Sequence, residues 1–136
     1  MDIEQLVTEA DRREAVPILQ QLWTDATTEE ILDWTGADGY FLFGGFDDSE
    51  LVGVAGVLDQ EFLHHARHAW LYDLVVDEPR RGRGYGTELL EFVEEWATDR
   101  GCEYVALASP LAKKGIHQYY EDRRYEKWGY VIEKGL

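Results

Sequence analysis

The chain has 136 residues, 45% of them hydrophobic and 13% aromatic, and its 28 Asp+Glu against 13 Lys+Arg give a formal net charge of −15. The length suits a single domain, 1–136, around one core, and the apolar content excludes intrinsic disorder despite the charge. A surface this negative repels phosphate backbones and anionic lipid heads, which argues against nucleic acid and membranes as partners.

In chain order, Ile3 to Thr8 reads as a short strand. A helix start follows at Asp11, with Glu14 at capping-box spacing and a stripe of Leu19, Leu22 and Trp23; Pro17 falls inside it and should kink it. A second helix is expected from Thr28 to Trp34, ended by Gly36. Tyr40-Phe41-Leu42-Phe43 and Leu51 to Leu58 flank the polar stretch Phe46 to Glu50 and predict an antiparallel hairpin, with strand glycines that signal bulges or close backbone approach. A further strand runs from about His68 to Val76, and its apolar end, Leu74-Val75-Val76, is typical of a central position. After a Gly/Arg loop, Leu89, Leu90, Val93, Trp96 and Ala97 form one face of a helix whose other face carries Glu88, Glu91, Glu94, Glu95 and Asp99. Arg100-Gly101 closes that helix. A strand from Tyr104 to Ala108, a helix near Ile116 to Arg123 and a strand near Trp128 to Glu133 complete the series. The pattern predicts an α/β (α+β) architecture, a mixed sheet covered by helices.

The charge is divided unevenly. Residues 1–79 hold 18 acids and only Arg12, Arg13 and Arg67, whereas residues 80–136 hold ten acids and ten bases. With nine Arg against four Lys, the excess acidity suits a protein hydrated in concentrated salt, and it equally suits one facing a cationic amine. No stretch approaches the roughly 18–20 apolar residues of a membrane span, and Met1 to Gln5 lacks the basic and apolar regions of a signal peptide, so a cytoplasmic location is expected. Cys102 is alone, which excludes an intrachain disulfide and a Cys-based metal cage; its place between a helix end and a strand suits a packed thiol.

Chemistry concentrates in Arg80-Arg81-Gly82-Arg83-Gly84-Tyr85-Gly86-Thr87, between a buried strand and an amphipathic helix. Glycines let backbone approach a ligand closely, and the first N–H groups of a helix lack intrahelical partners. With three arginines and the positive end of the helix dipole, the loop is an anion site. Glycines at 82, 84 and 86 fit neither G-x-G-x-x-G nor the nucleotide P-loop, which needs a Lys after its last glycine.

Arg81-Gly82-Arg83-Gly84-Tyr85-Gly86 resembles the [Q/R]-x-x-G-x-[G/A] signature of the GNAT superfamily of acyl-CoA-dependent N-acyltransferases. Leu74-Val75-Val76-Asp77 resembles the strand end before that signature and Glu88-Leu89-Leu90 the helix after it, while Ile116-His117-Gln118-Tyr119-Tyr120-Glu121 resembles the family's A-H-x-F-Y-E stretch. The resemblance implies a mixed, mostly antiparallel sheet of six to seven strands with splayed central strands. It also implies acetyl-CoA as cosubstrate, with its pyrophosphate held by Arg81, Gly82, Arg83, Gly84, Tyr85, Gly86 and the Thr87 amide. Its pantetheine arm would pair with the backbone of Leu74, Val75 and Val76.

The implied reaction is direct transfer of the acetyl group to a primary amine in a ternary complex, with no metal. Tyr120 matches the family's Tyr near the coenzyme sulfur and is the expected acid. Asp73, inside Leu71 to Val75, is the candidate base on physical grounds, because an ionised carboxylate in an apolar strand is costly unless paired or wet. The alternatives for Asp73 are a surface position or a pair with Arg67 or a nearby His. His64, His65 and His68 cluster before this strand, but adjacent His64 and His65 would point to opposite sides.

Two features depart from the family. Arg124-Tyr125 stands where a Gly-Phe pair is expected after the last helix, and Lys113 where an Asn is frequent; Lys113 and Lys114 could instead meet coenzyme phosphates. The competing readings are an acyl-CoA-binding sensor of the same fold without turnover and an anion-binding regulatory domain. The acceptor, a small molecule or a protein amine, is not legible. Many relatives are dimers, so a homodimer is one expected assembly.

Overall fold

The computed structural model describes residues 1–63 and 65–136, which group into two units, Met1–Ala106 and Leu107–Leu136. In the first, the order is β1 (Asp2–Gln5), α1 (Glu9–Leu19), α2 (Thr28–Thr35), β2 (Tyr40–Asp47), β3 (Glu50–Phe62), β4 (His65–Val76), α3 (Tyr85–Asp99) and β5 (Tyr104–Ala106). The sheet runs β1-β2-β3-β4-β5, antiparallel throughout except for the parallel pair β4 and β5.

Local chemistry sets the ends of these elements. α1 starts earlier than the Asp11 spacing predicts, because Thr8 Oγ1 accepts the Asp11 N–H at 3.1 Å and serves as N-cap. Pro17 lies in the last turn of α1, which stops two residues later; Gln21 and Leu22 then donate to carbonyls only three residues back. α2 carries the full capping box, Thr27 with Glu30. The hairpin is tighter than expected: Asp48 (φ 49°) and Ser49 (φ 67°) alone turn the chain between β2 and β3, the two left-handed residues of a type I′ turn.

Both faces of the sheet are covered. Leu42, Val54 and Val75 pack with Val16, Leu19, Ile31 and Leu32 of α1 and α2. Phe41 and Phe43, flanking Leu42 and so facing the other way, pack on α3, with ring centroids 5.1 Å from Trp96 and from Phe92 respectively. Leu89, Leu90, Val93 and Ala97 of α3 are buried, and each large apolar side chain so buried contributes about 1.5–3 kcal/mol.

A register shift between Gly56 and Val57 alters the faces of β4. Trp70 lies opposite Leu58 and Asp73 opposite Gly56. Leu58 and Gly56 share a face, so Trp70 and Asp73 do too, although they stand three positions apart.

At the far end of β3, Asp59 accepts from Arg67 Nε (3.0 Å) and Nη2 (2.6 Å) and from Arg100 Nε (3.2 Å). Arg67 therefore pairs with Asp59 and not with Asp73. The hydrogen bond from Arg67 chiefly holds the Asp59 carboxyl down at about 2. A carboxylate depressed by folding stabilises above its unfolded pKa and loses that contribution as pH falls through the folded value. Asp59→Asn is therefore expected to cost on the order of 1–2 kcal/mol at pH 7, discounted for the half-exposed arginines, and the gap should close between about pH 4 and pH 2 in urea unfolding. Cys102 Sγ lies 3.6 Å from Asp59 Oδ1, and burial raises its thiol pKa, so it behaves as a packed thiol.

In the second unit, α4 (Lys114–Glu121) is the one helix. The expected glycine after it is Arg124, which adopts φ 69°. Arg124 donates to the Glu121 carbonyl and Tyr125 to the Tyr120 carbonyl, both at 3.0 Å, closing a Schellman end without glycine. Arg124→Gly should raise stability by about 1 kcal/mol, read as a higher thermal midpoint, by removing the left-handed penalty.

The strand count needs correction from six or seven to five among the described residues. β5 ends at Ala106 and not Ala108, and the strand expected from Trp128 to Glu133 does not form. Trp128, Tyr130 and Ile132 are 80%, 81% and 92% exposed. Alternation gives strand propensity only; a strand forms where its backbone groups find a neighbour.

Candidate active site

After β4, a 3-10 turn (Glu78–Arg80) leads through Arg81 to Gly82 and Gly84, with φ of +80° and +85°. Gly84 is the N-cap of α3, and Glu88 is the first residue whose N–H reaches back into the helix, donating to the Gly84 carbonyl at 3.1 Å. A Cβ at either glycine would meet nothing within 4 Å, so these residues are glycine for their left-handed backbone, beside open space at a helix N-terminus. Gly86 and Thr87 lie in the first turn of α3.

The arginines divide their work. Arg81 donates through Nε to the Val76 carbonyl (2.9 Å) and through Nη2 to Gln21 Oε1 (3.3 Å). Gln21 also accepts the Glu78 N–H and donates to Asp77 Oδ1, so this one side chain clamps the loop to the end of α1. Arg80 pairs with Glu50. The Tyr85 hydroxyl donates to Asp47, which raises its pKa, while the neighbouring Arg83 acts in the opposite direction. Arg80 and Arg81 thus hold the loop, and exposed Arg83 is the cation least committed to it. Gln21 carries no motif and was not legible as a site residue.

β5 pairs with β4 only from His68 to Trp70, whereas β4 continues to Val76. Its edge from Leu71 to Val76 has no strand neighbour on the β5 side among the described residues. Backbone groups alternate along a strand. Asp77 N–H donates to Val52 on β3, so Val75 also faces β3, and Leu74 and Val76 turn their N–H and C=O groups to the open edge. Arg81 on the Val76 carbonyl agrees. Of the three residues expected along the arm, two therefore present hydrogen-bonding groups there.

Asp73 is 0% exposed, which removes the surface alternative. Oδ1 accepts from Trp23 Nε1 at 2.6 Å; Oδ2 accepts from Tyr40 Oη at 2.5 Å and Trp34 Nε1 at 3.3 Å. Three neutral donors offset the cost of burying the carboxylate. Burial, then the Asp73 charge, push the Tyr40 hydroxyl pKa well up. Asp73 is covered completely, so direct proton abstraction from a ligand would require one of the side chains over it to move. Gly56 makes room for this cluster: a Cβ there would lie 1.7 Å from Tyr40 Oη. The sequence signal for the donors was indirect, a carboxylate inside an apolar strand in a chain rich in Trp and Tyr.

Tyr120 lies on α4, half-buried, with ring centroids 5.2 Å from Tyr119 and 5.3 Å from Tyr125. Burial raises its pKa to about 12, so the hydroxyl keeps its proton at neutral pH. Lys113 is the N-cap of α4 and Lys114 its first residue. His68 is buried with Nδ1 3.0 Å from the Ala66 carbonyl, and His64 lies outside the described residues. Among the described residues no group of three or more His, Cys, Asp or Glu could hold a metal ion, and no helix is long and apolar enough to cross a membrane.

Residues 5–125 match the acetyltransferase (GNAT) family. An uncharacterized N-acetyltransferase, YhdJ, of Bacillus subtilis (strain 168) is 32% identical over 138 residues, covering 98% of this chain and 94% of the relative. An aminoalkylphosphonate N-acetyltransferase of Salmonella typhimurium (strain LT2) is 32% identical over 92 residues, covering 65% of this chain and 58% of that protein. The aminoglycoside N-acetyltransferase AAC(6')-Iy, solved in complex with CoA, superposes with a TM-score of 0.85 at 20% identity, over 99% of this chain and 93% of that one. The chain belongs to the acetyltransferase (GNAT) family. It is an acyltransferase of the N-acetyltransferase class with a mixed α/β fold.

Proposed function

We propose that the chain, acting as one domain over 1–136, transfers the acetyl group of acetyl-CoA to a primary amine by direct attack. The observation that supports this most is the continuity of an open β4 edge with a left-handed glycine loop at the N-terminus of α3. In this reading Arg81, Gly82, Arg83, Gly84, Tyr85, Gly86 and Thr87 hold the pyrophosphate, chiefly by backbone N–H groups. Leu74 and Val76 hold the pantetheine arm as an added strand. Acetyl-CoA supplies the activated acyl thioester. Tyr120, protonated until about pH 12, acts as the acid for the departing sulfur. Asp73 acts from beneath its donors as a fixed negative charge near the amine, whose proton passes to water.

The test is a thermal shift and a thiol-release assay. Acetyl-CoA at 100 times its Kd should stabilise by about 2.7 kcal/mol; no shift at millimolar acetyl-CoA sinks the reading. A shift without thiol release across an amine panel would favour the sensor. Tyr120→Phe should lower kcat roughly 10²-fold with the acetyl-CoA Kd nearly unchanged. The wild-type kcat should show no alkaline fall from Tyr120 below about pH 11; unchanged turnover in the variant would remove Tyr120 from the mechanism.

A further inference from the structure

Asp73 organises more than its own burial. Trp23 and Trp34 turn their N–H edges to the carboxylate, yet remain 47% and 38% exposed. Tyr72, 39% exposed, packs edge-on to Trp34 with centroids 5.3 Å apart and lies 6.0 Å from Trp70. Trp34 also packs at 5.1 Å on Tyr40. Large rings are normally buried for their area, whereas these are fixed at their polar edges and leave surface to solvent. A ring face is electron-rich, and an anion beneath the rings adds to the attraction for a cation.

One cation lies beside α2: Arg12, whose Nη1 is committed to the Leu32 carbonyl (2.7 Å) and Thr35 Oγ1 (3.1 Å). From residue 14 to 66, which includes Trp23, Trp34 and Tyr40, there is no Lys or Arg against eleven Asp and Glu. Asp25, Asp33 and Asp38 are exposed within two residues of these aromatics. A phosphonate or carboxylate would face these acids, with Arg12 already donating to Leu32 and Thr35, and a multiply hydroxylated ligand would waste the apolar faces.

The position suits an acceptor. The open β4 edge runs back from Val76 to Tyr72, about 13 Å at strand rise, so an arm anchored at the Arg81 to Gly86 loop and lying along the whole of that edge reaches Tyr72, next to Asp73. We infer that Trp23 and Trp34, positioned by Asp73, form the acceptor site together with Tyr72, which packs on Trp34, and that the site selects a monocationic amine carried on an apolar group, free of anionic substituents. This rests on the acetyltransferase reading for its chemistry and on the rings alone for its binding. Asp73 is in this sense a positioning residue.

The experiment is calorimetric titration of the full chain with 2-phenylethylamine, neutral 2-phenylethanol and anionic 3-phenylpropanoate, alongside acetyl-CoA. The ammonium should bind at least tenfold more tightly than the alcohol, and the propanoate should not bind. Tyr72→Leu should weaken the ammonium at least tenfold and leave the acetyl-CoA Kd within twofold. Trp34→Phe, which keeps a ring but loses the N–H to Asp73, should weaken it less. Equal binding of ammonium and alcohol, or no loss in Tyr72→Leu while the protein still binds acetyl-CoA, overturns the inference and leaves the acetyltransferase reading standing. Ammonium selectivity lost in Tyr72→Leu, in a protein that ignores acetyl-CoA, supports the cation site while the acetyltransferase reading fails.

Discussion

Replacing Gly84 with alanine is expected to lower the affinity for acetyl-CoA about a hundredfold, while the equivalent change at Gly86, two residues on, lowers it by no more than a few-fold. Gly84 sits at φ +85° as the N-cap of α3. An alanine there pays about 1–2 kcal/mol for the left-handed backbone, and its methyl group enters the open space beside the first turn. Relaxing the strain rotates the N–H groups that the pyrophosphate would need. Losing two charge-assisted hydrogen bonds, at about 1.5–3 kcal/mol each, more than accounts for a hundredfold. Gly86 lies inside the helix, where a Cβ would meet Val76 Cγ2 at an ordinary 3.5 Å. Alanine there is a better helix former and should stabilise by about 0.5–1 kcal/mol. Thermal unfolding and calorimetric titration of both variants check the contrast. Equal affinities would show that the backbone of this loop does not hold the coenzyme.

What the sequence disclosed and what it hid follow from the range of the interactions. The helix from Tyr85 to Asp99 was legible because its apolar spacing is local and complete, and the glycine loop because left-handed backbone selects glycine residue by residue. The cap of α1 was misplaced by three residues because Thr8 and Asp11 both cap well and only packing chooses between them. The final strand was overread for the opposite reason: Trp128, Tyr130 and Ile132 alternate correctly, but pairing is not a local property. At the site, Asp73 stood out as a charge in an apolar run. Its partners come from α2, β2 and the connection between α1 and α2, up to 50 residues away in sequence, through Trp34, Tyr40 and Trp23. Gln21 was invisible because a glutamine at a helix end has many uses, and only the fold brings it to Asp77, Glu78 and Arg81.

The glycine opposite Asp73 offers the strongest test of whether that cluster is rigid. An alanine Cβ at position 56 would stand 1.7 Å from Tyr40 Oη, 2.4 Å from its Cζ and 3.0 Å from Asp73 Oδ2. Tyr40 is 7% exposed, so the ring has no free space to retreat into without giving up its 2.5 Å bond to the carboxylate. Overpacking costs about 1–3 kcal/mol, and removing a donor from a buried carboxylate costs about 1–3 kcal/mol more. Gly56→Ala is therefore expected to lose about 3–5 kcal/mol in urea unfolding, with weakened binding of ammonium ligands. Gly45→Ala is the matched control: its Cβ would also be crowded, 2.7 Å from Met1 Sδ, but a flexible methionine moves aside. That variant should lose less than about 1 kcal/mol. In a Tyr40→Phe background the Gly56→Ala cost should shrink, because the bond it breaks is already gone and the two changes are not additive. If Gly56→Ala instead falls within about 1 kcal/mol of the wild type, Tyr40 has a second resting place. Asp73 would then be free to shed a donor and meet the amine itself.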